Sequence, residues 1–439
     1  MFCLKYFGKQ IRRIFKLKPA DKKKNINQIL VIGGYGFGNT GDEAQCSETI
    51  NLLTKRYPNF QIKVLSPNPN YTINEHSCYS GNASRVSFYN QGYLNSSFTK
   101  KFKFSEKISF FITSFLLLIN AFLVRADLPT LFINARKSQL LQDLFESDLL
   151  YISGGGFLTG ETLSRLWDGI VLSKLAEIFN TPVVMSGQTI GIWKNNFNKT
   201  LAKWGFKKVK LITVRDEEFS LADLKQIGFV GENYFATHDD ALFCEKSEER
   251  LIDIDKYVTL NFHYWGMKDA EKSVYIDKLH KIIEELLKKI DYKIVFIPMH
   301  ETDMNSFEDY IAKYPNDRLV CFEYDYDFRK IRNVIANSEY CITMKHHPII
   351  FAMGEDVPTI SLAFSKYYVH KNIGALQQYG MEKFSVNLED DDFYEQFKLL
   401  LQNLIEDRPQ LVEIIKNKKI ILKERKEKFL KEVDKILKK

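Results

Sequence analysis

An apolar run near the C-terminal third, Cys341-Ile342-Thr343-Met344, ends in Lys345-His346-His347 and passes at once into a second apolar stretch, Pro348-Ile349-Ile350-Phe351-Ala352. The pattern reads as a buried strand whose tip carries one cation and two imidazoles. Imidazole is the side chain that exchanges protons near neutral pH, and a lysine beside it supplies charge for an anion. Two adjacent histidines do not easily chelate one ion, and no third ligand stands at a suitable spacing, so no metal is expected. Thr213-Val214-Arg215-Asp216-Glu217-Glu218 has similar logic: Arg215 stands where a strand meets a helix. It is either a fork for carboxylate or phosphate or a surface arginine paired with Asp216 or Glu218.

Two glycine-rich turns complete the set. Gly33-Gly34-Tyr35-Gly36-Phe37-Gly38-Asn39-Thr40-Gly41-Asp42 follows the apolar run Gln28–Ile32 and precedes a helical pattern over 41–56. Tyr151-Ile152-Ser153-Gly154-Gly155-Gly156-Phe157 repeats the device before a helix that opens near Glu161. Strand, glycine turn and helix together aim backbone N–H groups and a helix dipole at an anion. The spacing fits neither the dinucleotide fingerprint nor the Walker loop. Gly38, Asn39 and Gly41 in the first turn, with Gly155 and Gly156 in the second, are therefore candidate substrate contacts, and Asp42 is a proton-handling carboxylate or a helix cap. Gln188, Asp240, His263 and His300 close further strand-like segments and read equally as site or structural residues, while Lys366 follows the last strand and adds a cation.

The elements that must position these groups alternate between β-branched runs and helical periods, the signature of parallel sheets covered on both faces. Strands are expected over 28–33, 61–66, 148–153, 182–186 and 209–214, with helices over 41–56, 161–179, 197–206 and 217–227. After a polar linker near 245–256 the alternation restarts, with strands near 257–262, 293–298, 318–322, 339–343 and 357–361. The organisation expected is a basic tail (1–24), a Rossmann-like domain (25–245) with an insertion over 72–147, a second Rossmann-like domain (246–410) and a basic closing helix (411–439). The fold class is α/β: two doubly wound domains facing across a cleft, where ligands bind at the carboxyl ends of the strands.

Composition narrows the function classes. With 439 residues, 45% of them hydrophobic, the chain supports packed cores in more than one domain. The six cysteines form no Cys-x-x-Cys pair, which suits a reducing compartment. The net charge of +7 is concentrated at the ends: residues 1–24 carry +8 and 416–439 carry +7, leaving −8 on the body. A nucleic-acid enzyme would carry its basic footprint in the folded body, so no nucleic-acid partner is expected. The basic ends are either solvated runs or contacts to an anionic membrane surface. Phe7, Ile11, Ile14 and Phe15 share one face among Lys9, Arg12, Arg13 and Lys16, which favours the membrane at the N-terminus. No signal peptide is visible, giving an expected cytoplasmic location, peripheral at the inner membrane face. The uncharged stretch Ile108–Val124 falls just short of a membrane span. It reads as a core or interface helix, or as an in-plane membrane contact.

Taken together, the motifs resemble the polysaccharide pyruvyl transferases over about residues 28–380. The family's Gly-Asn-x-Gly-Asp-Glu opening resembles Gly38-Asn39-Thr40-Gly41-Asp42-Glu43, and its glycine triplet resembles Gly154-Gly155-Gly156-Phe157. Val214-Arg215-Asp216 and Asp239-Asp240-Ala241-Leu242-Phe243 are similar to two further elements. Its Arg-Leu-His element corresponds to Lys345-His346-His347, with lysine in place of arginine and histidine in place of an apolar residue. The resemblance implies a GT-B-like architecture. It also implies transfer of a pyruvyl group from phosphoenolpyruvate, as donor substrate and with no separate cofactor, to two hydroxyls of a sugar in a glycan or lipid-linked oligosaccharide. His347, Arg215 and Asp42 would be catalytic, and Lys345, His346 and the glycine turns would hold the donor. A glycosyltransferase of the same architecture using a nucleotide sugar is the alternative, and a non-catalytic glycan-binding protein a third. Deleting residues 1–24 is expected to weaken sedimentation with anionic vesicles, more strongly at low salt; equal binding by both chains would refute the membrane contact.

Overall fold

The computed structural model describes residues 27–36, 38–66, 68–76, 86–90, 106–161, 163–264, 267, 269–323, 325–364 and 366–438. Its first half runs β1 (Gln28–Ile32), α1 (Thr40–Arg56), β2 (Gln61–Ser66), α2 (Pro69–His76), β3 (Val86–Asn90), α3 (Glu106–Arg125), α4 (Ala135–Glu146), β4 (Leu149–Ile152), β5 (Gly155–Thr159), α5 (Leu163–Phe179), β6 (Val183–Gly191), α6 (Asn196–Phe206) and β7 (Leu211–Val214). A π-helical turn (Glu217–Leu221) leads into α7 (Ala222–Gln226) and β8 (Tyr234–Ala236). The second half runs β9 (Tyr257–Asn261), α8 (Asp269–Lys289), β10 (Lys293–Phe296), α9 (Glu301–Lys313), β11 (Leu319–Cys321), α10 (Phe328–Ala336) and β12 (Cys341–Thr343). It closes with α11 (His346–Gly354), β13 (Thr359–Ala363), α12 (Lys366–Gln377), β14 (Ser385–Asn387), α13 (Phe393–Glu406) and α14 (Arg408–Leu437).

Two parallel sheets result. The first has the order β3-β2-β1-β4-β6-β7-β8, with β5 on β6, and the second β11-β10-β9-β12-β13-β14. In each, the chain starts mid-sheet, winds to one edge, and returns to the centre to wind the other way. That is the doubly wound order the alternation implied, and its reversal points lie between β1 and β4 and between β9 and β12.

Burial follows the strand period. In β1, Ile29 and Val31 face one hydrophobic cluster with Cys46, Ile50 and Leu53 of α1. Leu30 and Ile32 face another, shared with Leu117 of α3, Leu144 of α4 and Leu172 of α5. A parallel sheet buried on both faces favours near-continuous apolar runs, and β1, β4 and β6 are buried throughout, the polar Ser186, Gln188 and Thr189 of β6 included.

Two local expectations differ from the structure, and a third, the core or interface helix over 108–124, agrees with it. The turn expected to run from Gly154–Gly156 into a helix is instead a break after which β5 pairs with the far half of β6: Gly155 lies opposite Gln188 and Thr159 opposite Gly191. The region 72–147 is not a pure interruption, because β3 extends the first sheet parallel to β2. The apolar stretch 108–124 forms α3, whose Leu117, Ala121 and Val124 join the core while Phe115 stays 64% exposed. Among the described residues no helix is long and apolar enough to cross a membrane.

The basic closing segment is more than a solvated run. Leu411, Ile415 and Leu422 at the start of α14 pack into the second half. Phe429, Leu430 and Val433 further on pack under the first sheet with Tyr57 and Tyr151. Asp434 accepts from Arg56 Nη2 at 2.7 Å and from the Tyr57 hydroxyl at 2.9 Å. Lys416, Lys418, Lys423, Lys428 and Lys431 remain exposed. One helix therefore straps both halves together. Phe429→Ala is expected to cost about 3–5 kcal/mol, read as a lower urea midpoint, whereas Lys428→Ala should change it little; equal midpoints for Phe429→Ala and the parent chain would refute the strap.

Candidate active site

The two reversal points face each other across a cavity of about 500 Å³. The first half contributes Gly33 and Gly34 after β1, Asn39 and Asp42 at the start of α1, Gly156 and Phe157 on β5, and Arg165 and Asp168 on α5. The second half contributes His263 after β9, Met299 and His300 after β10, Lys345, His346 and His347 between β12 and α11, and Tyr368 and Lys371 on α12. Strands in both sheets thus deliver their carboxyl ends to one space. The halves touch directly there, where the Thr40 amide and hydroxyl donate to Met299 O at 3.2 and 2.8 Å.

His347 lies in the first turn of α11 and is 8% exposed. Gly41 packs so closely on it that a methyl group at position 41 would overlap the imidazole ring. That approach explains the glycine: Gly41 makes room for His347 and lies off the cavity wall. Among the described residues, His347 Nε2 has no hydrogen-bond partner. Burial, helped by the charges of Lys371, Arg215 and Lys345 and opposed by Asp239, lowers its pKa to about 3. The ring is therefore neutral at physiological pH, with a lone pair available. Asp42 moves the other way: burial, with Glu43 and Asp239 adding and Lys371 and Arg215 opposing, raises its pKa to about 7. A neutral imidazole and a half-protonated acid consequently share the cavity, the acid with its pKa near the operating pH that proton transfer favours.

Beside them, Lys345 binds both carboxylate oxygens of the buried Asp303 at 2.6 Å. Asp303 also accepts from the Met299 amide at 2.9 Å, tying the loop after β10 to the histidine strand. Lys345 thus reaches the cavity as half of an ion pair. Lys371, from the middle of α12, brings further positive charge to Asp42 and His347.

Beneath the wall sits a carboxylate that the reading of single motifs passed over. Asp239 accepts from Gln45 Nε2 at 2.9 and 3.0 Å and from Arg215 Nη1 at 2.5 Å. His346 Nε2 meets the same carboxylate at 3.1 Å. Burial alone would push the Asp239 carboxyl up; the Arg215 guanidinium and the His346 ring hold it well below the usual carboxylate range. Arg215 Nε donates to Thr189 Oγ1 at 2.6 Å. Its fork therefore grips a protein carboxylate and does not line the cavity. Asp216, one alternative partner for Arg215, instead caps the π-helical turn, accepting from the Phe219 and Ser220 amides at 2.9 and 2.6 Å.

Several expected contacts are displaced for similar reasons. Asp240 accepts from the Gly154 amide at 2.7 Å and from Lys426 of α14 at 2.6 Å, away from the cavity. The Gln188 amide clamps Ser153 O at 2.5 Å and Ser186 O at 3.0 Å, fixing the break between β4 and β5. Gly38 turns with φ +72° against Tyr326, and Gly155 accommodates the Phe157 ring. The Gly36 amide is taken by Glu43 Oε1 at 2.7 Å, so that part of the first glycine turn is held by the protein itself. Asn39 caps α1 through the Gly41 amide at 3.1 Å and still lines the cavity. Gly156, Asp42, Lys345, His346 and His347 line it as well, whereas Lys366 opens α12 with its side chain outside the described residues. Arg165, Asp168, Tyr368 and Lys371 were missed because, inside ordinary helices, only the direction of the face distinguishes them from solvated residues.

The family model described as polysaccharide pyruvyl transferase matches residues 39–366. No curated protein is detectably similar to the chain in sequence. Among solved structures, the chain is similar to S. aureus MnaA in a co-structure with UDP, with TM-score 0.56, 11% identity, and 89% of this chain and 90% of that one covered. It is also similar to a UDP-GlcNAc 2-epimerase from Methanocaldococcus jannaschii, with TM-score 0.53, 13% identity and coverage of 86% and 92%. A ugt transferase from Siraitia grosvenorii in complex with UDP gives TM-score 0.51, 9% identity and coverage of 89% and 94%. Likeness at such identity is of fold alone, here the GT-B arrangement of two facing Rossmann-like units.

Asp239→Asn leaves Arg215 buried without its counter-charge and is expected to cost about 3–5 kcal/mol, measured by urea unfolding. A loss below about 1 kcal/mol, the range of an exposed pair, would refute the buried hub.

Proposed function

Because the chain belongs to the polysaccharide pyruvyl transferases, we propose that it moves a pyruvyl group from phosphoenolpyruvate to two hydroxyls of a glycan or lipid-linked oligosaccharide, closing a cyclic ketal. The observation that carries this reading is the pairing of neutral His347 with proton-bearing Asp42 in one cavity, beside Lys345 and Lys371. A phosphate and a carboxylate on three carbons need cations and N–H donors at close range. That wall offers lysines, imidazoles and the start of α11.

Asp42 gives its proton to the methylene carbon, making a methyl group and a cationic centre at C2. The first sugar hydroxyl attacks C2 as His347 takes its proton. The C2–O bond to phosphate breaks, and the second hydroxyl closes the ring. Of the two hydroxyl protons, one restores Asp42 and the other leaves with the phosphate. Arg215 is a positioning residue in this scheme, holding Asp239 and through it His346. Work at the inner membrane face is part of the proposal: the N-terminal sequence is basic, and the outward side of α3 exposes Ile112, Phe115 and Ile119 at 36, 64 and 41%.

His347→Ala is expected to lower turnover by about 10²-fold or more, with thermal stability retained. Since Asp42 acts in its protonated form, kcat/KM should hold at low pH and fall as pH rises through about 7. Phosphate release from phosphoenolpyruvate in the presence of acceptor glycan measures both. Thermal stabilisation by uridine diphosphate and none by phosphoenolpyruvate would instead support the nucleotide-sugar alternative.

A further inference from the structure

The wall opposite the histidines is built differently. On α5, Arg165, Asp168 and Leu172 recur at three- and four-residue spacing and line the cavity with Phe157 of β5. Residues so spaced share one helix face. The helix is fixed from behind: Trp167 Nε1 donates to Ser114 Oγ of α3 at 2.8 Å. Gly169 lets it press on β5, since a Cβ there would stand 2.6 Å from Leu158 Cδ2. This wall is therefore a firm platform, the kind that holds a ligand in one orientation.

Asp42 and Asp168 are the two carboxylates lining the cavity among the described residues. Asp42 faces the lysines and His347; Asp168 has no part in the proton transfers above. Its Oδ1 is enclosed and has no hydrogen-bond partner among the described residues. A buried carboxylate oxygen in that state carries its desolvation cost uncompensated until something donates to it. Phe157, half-buried on the same wall, offers apolar surface to a flat, C–H-rich face, with the buried Leu172 behind the helix face that carries Asp168. An acceptor with one hydroxylated edge and one apolar face matches both features.

We infer that this platform is the acceptor subsite, where Asp168 accepts a hydrogen bond from a hydroxyl of a pyranose whose apolar face lies on Phe157. The contact selects which pair of hydroxyls meets the donor's C2, so Asp168 determines acceptor specificity. The inference rests on the pyruvyl-transfer reading of the opposite wall. Burial raises the Asp168 carboxyl to about 7, against the pull of Arg165. Near neutral pH it can therefore either accept from a hydroxyl or donate to one.

The test is saturation-transfer NMR with the methyl pyranosides of glucose, galactose, mannose and N-acetylglucosamine, on the parent chain, Asp168→Asn and Phe157→Leu. Thermal stabilisation by phosphoenolpyruvate is measured in parallel. The parent chain is expected to transfer saturation to at least one glycoside, with tenfold or greater weakening in Asp168→Asn, a smaller loss in Phe157→Leu, and unchanged stabilisation by phosphoenolpyruvate. Equal transfer by parent and Asp168→Asn, or none by the parent to any glycoside, overturns the assignment. Loss of phosphoenolpyruvate stabilisation in Asp168→Asn overturns it too, because it places Asp168 with the donor. A parent chain that binds a glycoside yet is not stabilised by phosphoenolpyruvate would sink the donor reading while leaving the sugar platform standing.

Discussion

One carboxylate, Asp239, sets the geometry on which the site depends. It lies after the last strand of the first sheet and is grasped by Gln45 of α1 and by Arg215 after β7. It also receives His346 from the second sheet. A buried ion pair adds little net stability, because desolvation offsets most of the attraction, but losing one partner leaves a charge that nothing nearby can solvate. Such a pair acts as a register pin: small slips of one half against the other are penalised steeply. The His346 contact carries that constraint across the cleft, and His347 follows it rigidly as the next residue of α11.

Other cross-cleft contacts make sense around this pin. The Thr40 bonds to Met299 O hold the start of α1 against the loop after β10. Gly41 then lies flush on the His347 ring. On the far side, Arg332 of α10 reaches Ala241 O and Leu242 O at 3.1 and 2.9 Å, fixing the segment that leaves Asp239. The strap formed by α14 closes the same circuit, because Lys426 binds Asp240, the neighbour of the pin. Adjacent aspartates thus divide the labour, Asp239 holding the catalytic wall and Asp240 holding the strap and the Gly154 amide.

The doubly wound order was legible because each strand is a short apolar run and each helix keeps a 3.6-residue period, signals local to a window of sequence. The tip residues Lys345, His346 and His347 were legible for the same reason: a strand boundary places them. Asp239 was not, because two aspartates side by side look alike until tertiary packing assigns each a partner. β5 was hidden since Gly155-Gly156 carries turn chemistry, and only pairing with the long β6 extends it. From its place at a strand end, Arg215 reads either as a fork facing the cleft or as a surface arginine paired with Asp216 or Glu218. The strand end was right, but the guanidinium turns inward because a buried carboxylate lies within reach. Lys371 and Asp168 sit mid-helix, where direction of face is decided by packing that no local pattern records.

Burial gives the cavity an unusual resting charge, and this bears on how the proposed donor would be handled. Lys345 is matched by Asp303 and Arg215 by Asp239, while His347 is neutral and Asp42 half neutral. Entry of a multiply anionic donor makes the local potential more negative, and a negative neighbour raises the pKa of acid and imidazole alike. The proton on Asp42 is then held more firmly until the methylene carbon presents itself. The His347 ring, too weak a base in the empty cavity, becomes able to take a hydroxyl proton. On this argument the substrate's own charge completes the acid and base, so that proton transfer is enabled chiefly when the donor is in place.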